Sequence, residues 1–137
     1  MGTGAVDWWK IRIEPMLLPR GRPVASRVSY TFCLPLIADG RISLPTYRAD
    51  RDLATVERSR PNQQCDLGRI ELRDNQWTCS WPYPACLHLA DVRILAPRFL
   101  LGDLVGMRPL GGTMALFRIQ ARDALLPAPE PRVMLSS

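Results

Sequence analysis

Cys65, Cys79, Cys86 and His88 are side chains of the right chemistry for a tetrahedral zinc site. Their spacing is not that of the common fingers. No Cys-x-x-Cys occurs, and Cys86 and His88, two positions apart, share one face of a strand. Cys79 alternates with Trp77 and Trp81, which marks it as a small core residue, so no metal or cofactor is expected. His88 is the only histidine, and any imidazole mechanism must run through it. Cys86 beside His88, with Asp91 to orient the ring, would make a thiolate–imidazole pair; a locally hydrogen-bonded strand histidine is the expected reading. Asp50, Asp52 and Glu57 suit capping and ion pairing with Arg48, Arg51, Arg58 and Arg60 better than acid–base work. Gly111-Gly112 stands alone and forms no phosphate-cradling loop. The residues point away from an enzyme.

The basic residues are the second source of chemistry. Lys10 is the only lysine among 18 basic residues, and the rest are arginine. Arginine's planar fork grips phosphate and carboxylate, although a G+C-rich coding sequence also inflates its use. The formal net charge is +5, and Lys10, Arg12, Arg20, Arg22 and Arg27 face only Glu14 within the 10–27 segment. That segment contains Pro19-Arg20-Gly21-Arg22-Pro23, which resembles the core of an AT-hook. The resemblance implies minor-groove binding of A·T-rich DNA: glycine allows close approach to the groove floor and the two arginines lie along it. It covers these five residues, with Met16-Leu17-Leu18 before them and Val24-Ala25-Ser26 after. Aromatic rings among arginines offer a second route to nucleic acid, through base stacking. Trp8, Trp77, Trp81, Tyr83 and Phe99 with Arg69, Arg73, Arg93 and Arg98 are the residues concerned. Trp77 and Trp81 belong to a core face, which leaves Tyr83, between Pro82 and Pro84, as the exposed ring.

The elements that must position these groups show a period of two. Val28, Tyr30, Phe32, Leu34 and Leu36 alternate with polar residues, and Trp9, Ile11 and Ile13 do the same near the start. Asp39-Gly40 predicts a hairpin resumed by Ile42 and Leu44. Ile70 and Leu72 lead through an Asp74-Asn75 turn to Trp77, Cys79 and Trp81, with Gln76, Thr78 and Ser80 on a face that tolerates water. Leu87–Leu95 is a further strand with a bulge near Ala90-Asp91. Leu104–Arg108 and Thr113–Gln120 form the last pair, joined through Gly111-Gly112. The pattern predicts one helix, Ala49–Arg60, and a single helical turn at Arg98–Leu101 stopped by Gly102. Thirteen prolines exclude longer helices.

These signals predict one all-β domain over 1–123, a small barrel or sandwich of about seven short antiparallel strands with one short helix. An extended Pro-rich tail over 124–137 follows, ending in the apolar tip Val133-Met134-Leu135. No apolar run is long enough to span a bilayer, and the start lacks a basic segment followed by an apolar one. Gly2 is not followed by Ser or Thr at position 6, where Val6 stands. The expected compartment is the cytoplasm, with reduced thiols and no Cys79–Cys86 disulfide. The expected function is a non-enzymatic binding or assembly module for a protein or nucleoprotein partner. Its working residues would be Lys10, Arg20, Arg22, Arg27, Tyr83, Met134 and Leu135, with edge strands and tail as means of contact. The alternative is a nucleic-acid-binding subunit, for DNA or RNA, that uses the basic 10–27 segment.

Overall fold

The structure, a computed structural model, describes residues 6–16, 28–82, 89–96 and 98–125. Eight strands form a closed antiparallel barrel in chain order: β1 (Asp7–Pro15), β2 (Ser29–Leu36), β3 (Thr55–Ser59), β4 (Asp66–Arg73), β5 (Gln76–Ser80), β6 (Val92–Leu95), β7 (Leu104–Pro109) and β8 (Ala115–Leu125). β8 returns to pair with β1, so the all-β reading holds and the barrel, not the sandwich, is the architecture. One short helix, α1 (Leu44–Ala49), and a 3-10 turn (Arg51–Leu53) lie between β2 and β3.

The alternation decides the inside. Ile11, Ile13, Phe32, Leu34, Val56, Ile70, Cys79, Val105 and Ile119 are almost wholly excluded from solvent, with Tyr30, Val92, Ile94, Met107 and Phe117 close behind. Phe99 enters from the 98–103 loop and packs edge-on against Phe32 with ring centroids 6.0 Å apart. The interior is therefore packed with side chains, as expected of a small eight-stranded barrel.

The eighth strand is β3, which lies within the Ala49–Arg60 stretch whose pattern predicts a helix. The helix lies upstream: Ser43 caps it, accepting from the Thr46 N–H at 3.4 Å, and Pro45 sits in its first turn. It ends at Asp50, and Thr55-Val56 then turn Val56 into the barrel. Ile42 and Leu44 consequently form no return strand; Ile42 makes an isolated bridge to Leu36. Residues 98–101 hold no helix either, because Phe99 is drawn into the core and Leu101-Gly102 form a turn with Gly102 at φ +84°. β6 begins at Val92, later than expected. β8 continues to Leu125, so the domain extends two residues past the predicted boundary at 123. Thr78 and Ser80 are buried, not wet: the Arg73 guanidinium donates to Ser80 Oγ at 3.4 Å and pairs with Asp91, and the Thr78 hydroxyl donates to the Gln76 carbonyl at 3.3 Å.

Antiparallel order fixes what shares an end. Pro15, Ser29, Ser59, Asp66, Ser80, Val92, Pro109 and Ala115 mark one end; Asp7, Leu36, Thr55, Arg73, Gln76, Leu95, Leu104 and Leu125 mark the other. β1 and β2, and likewise β5 and β6, follow each other in the chain across the first end. β8 leaves at the second.

Candidate docking face

Most of the residues expected to act lie outside the described residues: Arg20, Arg22, Arg27, Tyr83, Met134 and Leu135, together with Cys86 and His88. Lys10 is described, exposed on β1 between Cys33 of β2 and Asp123 of β8. Cys65 is exposed, its Sγ 3.3 Å from Ser59 Oγ, whereas Cys79 is sealed inside the barrel. Burial pushes the Cys79 thiol far up, with the Asp91 charge adding to the effect, and Cys79 packs as a small core group. Among the described residues no three His, Cys, Asp or Glu side chains gather as a metal site. The ring is closed, so no strand is an edge strand with one side wholly unpaired, and the expectation of contact through edge strands has no such strand to use.

The outer wall of β6, β7 and β8 carries a different surface. Leu95, Gly106 and Leu116 lie directly across from one another on the three strands, and Met16 continues the row, its N–H donating to the Leu116 carbonyl at 3.0 Å. Gly106 leaves a notch that Met114 fills: a Cβ there would sit 2.7 Å from Met114 Sδ and 3.3 Å from Leu95 Cβ. Leu104 lies one row down, opposite Arg118. Met16, Leu95, Leu104, Met114 and Leu116 are each between 38% and 50% exposed. Single exposed apolar residues need no explanation, but five on adjoining positions form a patch.

Arginines border it. Arg93 and Arg108 stand directly opposite each other across β6 and β7, and Arg118 flanks the other side. Like charges directly opposite on a sheet destabilise it. Among the described residues no carboxylate forms an ion pair with any of the three. Glu14, beside Arg118 in register, is engaged by Arg12 at 3.0 Å. Other arginines do have carboxylate partners. Arg58 and Arg60 converge on Asp66 at 3.0 and 3.6 Å inside the barrel mouth, and Arg98 meets Asp103 at 3.2 Å. Tyr30, opposite Arg58 in register, has its hydroxyl pushed up by desolvation, with the Arg58 charge opposing.

The sequence carried a signal for this face that strand alternation alone obscures. Ile94-Leu95, Leu104-Val105 and Leu116-Phe117 are adjacent apolar pairs, and in a strand one member of each must point outward. Among the described residues no helix is long and apolar enough to cross a membrane. No family model, no curated protein and no solved structure matches the chain.

Proposed function

We propose that the chain is a non-enzymatic binding or assembly module, and that the outer wall of β6, β7 and β8 docks an acidic amphipathic segment of a partner protein. The observation that carries this reading is the apolar row Leu95–Leu116–Met16, with Met114 and Leu104, bordered by Arg93, Arg108 and Arg118 that lack carboxylate partners among the described residues. Leucine and methionine side chains supply adaptable apolar contact. Carboxylates from a partner would relieve the Arg93–Arg108 repulsion and fix register and specificity. No aromatic ring belongs to this row, which separates it from a base-stacking platform.

The test uses the full chain and two synthetic peptides with the same leucine spacing, one with glutamates between the leucines and one with lysines. Calorimetric titration should show the glutamate peptide binding, with affinity that falls as salt rises, and the lysine peptide not binding. Leu95→Glu with Leu116→Glu, both at exposed positions, should weaken that binding by at least about tenfold, or 1.4 kcal/mol. Equal binding of both peptides, or no effect of the double variant, overturns the reading. Salt-sensitive capture of an A·T-rich duplex, lost with Arg20→Ala and Arg22→Ala, would instead favour the nucleic-acid alternative.

A further inference from the structure

A separate cleft opens on the opposite wall of the ring, where β3 stops and β4 continues. β3 pairs with β4 only as far as Thr55 opposite Arg69, so Ile70–Arg73 run on without a strand on that side. The connection before β3 covers part of the gap. Ala54 accepts from the Ile70 N–H at 3.0 Å, and the Tyr47 hydroxyl donates to the Ile70 carbonyl at 3.0 Å. Tyr47 is held from below by Trp77, edge to face at 4.8 Å, and forms a fixed floor. What remains is a cleft of about 430 Å³, with Tyr47, Ile70 and Leu72 as its apolar lining and Arg51, Arg69, Arg73, Asp52 and Glu71 as its charged one.

The charges are unequal, three guanidiniums against two carboxylates. Arg69 meets Asp52 at 3.3 Å and Arg73 meets Glu71 at 2.7 Å, and Arg73 also reaches Asp91. Arg51 has no ion pair with a carboxylate among the described residues, and its charge is felt at the Tyr47 hydroxyl on the floor. A guanidinium presents five N–H donors in a planar fork, and Arg73 spends most of its own on Glu71, Asp91 and Ser80 Oγ, so receiving an anion falls chiefly to Arg51. The volume is that of a small-molecule pocket, not of a macromolecular groove.

We infer that this cleft is a binding site for a small molecule bearing a compact oxyanion, carboxylate or phosphate, with a short apolar body against Tyr47 and Leu72. Arg51, without a carboxylate partner among the described residues, supplies the fork, while Arg69 and Arg73 add positive field and Asp52 competes with the anion for Arg69. The site is independent of the docking face, since β4 and β8 lie on opposite sides of the barrel.

Inorganic phosphate and benzoate, each titrated into the full chain at constant ionic strength with chloride as control, test the inference by amide chemical shifts. The expected result is a saturable shift confined to residues 47–53 and 69–73, unaffected by Leu95→Glu with Leu116→Glu. Arg51→Gln should weaken it about tenfold. Asp52→Asn, which removes a competing carboxylate, should strengthen it severalfold, an effect that damage to the fold would not produce. Saturation by phosphate alone, by benzoate alone or by both identifies the anion. Saturation by neither, equal shifts with chloride, or an unchanged response in Arg51→Gln overturns the site.

Discussion

Two glycines show how the same residue serves different ends. A Cβ on Gly68 would lie 2.5 Å from the Ser80 carbonyl oxygen and 2.6 Å from Trp81 Cε3. Neither can yield: one is backbone of the paired strand, and the other is a buried indole whose Nε1 donates to the Ala90 carbonyl at 3.0 Å. Overfilling a packed site of this kind costs about 1–3 kcal/mol. At Gly106 the near neighbour is the end of Met114, half exposed and free to swing aside. Gly68→Ala should therefore lower the urea midpoint clearly, while Gly106→Ala leaves it nearly unchanged and alters only the docking face. Equal midpoints for the two variants would show that Trp81 does not pack against Gly68 as described.

At the level of elements, legibility followed the strength of local periodicity. β1, β2 and the β4–β5 hairpin were readable because each has one wholly apolar face, and Asp74 and Asn75 adopt the positive φ (50° and 61°) that their turn requires. β3 was hidden because five residues carrying a single inward apolar side chain, Val56, resemble the end of a charged helix. The helix was displaced although its own signals, Ser43 and Pro45, stood in the sequence. Residues lining the candidate cleft were visible only as charges, since the gap they surround exists because β4 outruns β3. The end of β8 is hard to read for a similar reason: Ala124 and Leu125 look like the start of the Pro-rich tail, but they pair with Trp9 and Trp8. A chain ending at Leu125 should then be more stable to urea than one ending at Asp123, by about 1 kcal/mol or more for the lost ladder bonds and Trp8 contact. Identical midpoints would place the end of the folded unit at Asp123.

For the whole molecule, sealing the barrel fixes how stability responds to alkali. Three groups that ionise by losing a proton are shut inside or against it: Cys79, Tyr30 and Tyr47. Burial raises each above its ordinary value in the folded state. Around them, Arg58 draws Tyr30 back down while Asp66 and Cys79 push it up; Asp91 pushes Cys79 up; Glu71 raises and Arg51 lowers Tyr47. The folded chain thus holds protons that the unfolded chain releases once the pH passes the ordinary thiol and phenol values, about 8.5 and 10. Their contribution is fully present below that range and is lost as the pH rises through it. The slope approaches about 1.4 kcal/mol per pH unit for each group that ionises only on unfolding. Urea unfolding followed from pH 7 to 11 should show these groups adding no slope at first and then a steepening fall. Cys79→Ala will lower stability at every pH because it leaves a cavity, so the slope is the readout: between about pH 8.5 and 10 it should flatten. Tyr30→Phe should flatten the steeper part above about pH 10 in the same way. A slope unchanged by both substitutions would mean that alkali opens the barrel before these groups feel it, and that the ring is not closed around them as a single unit.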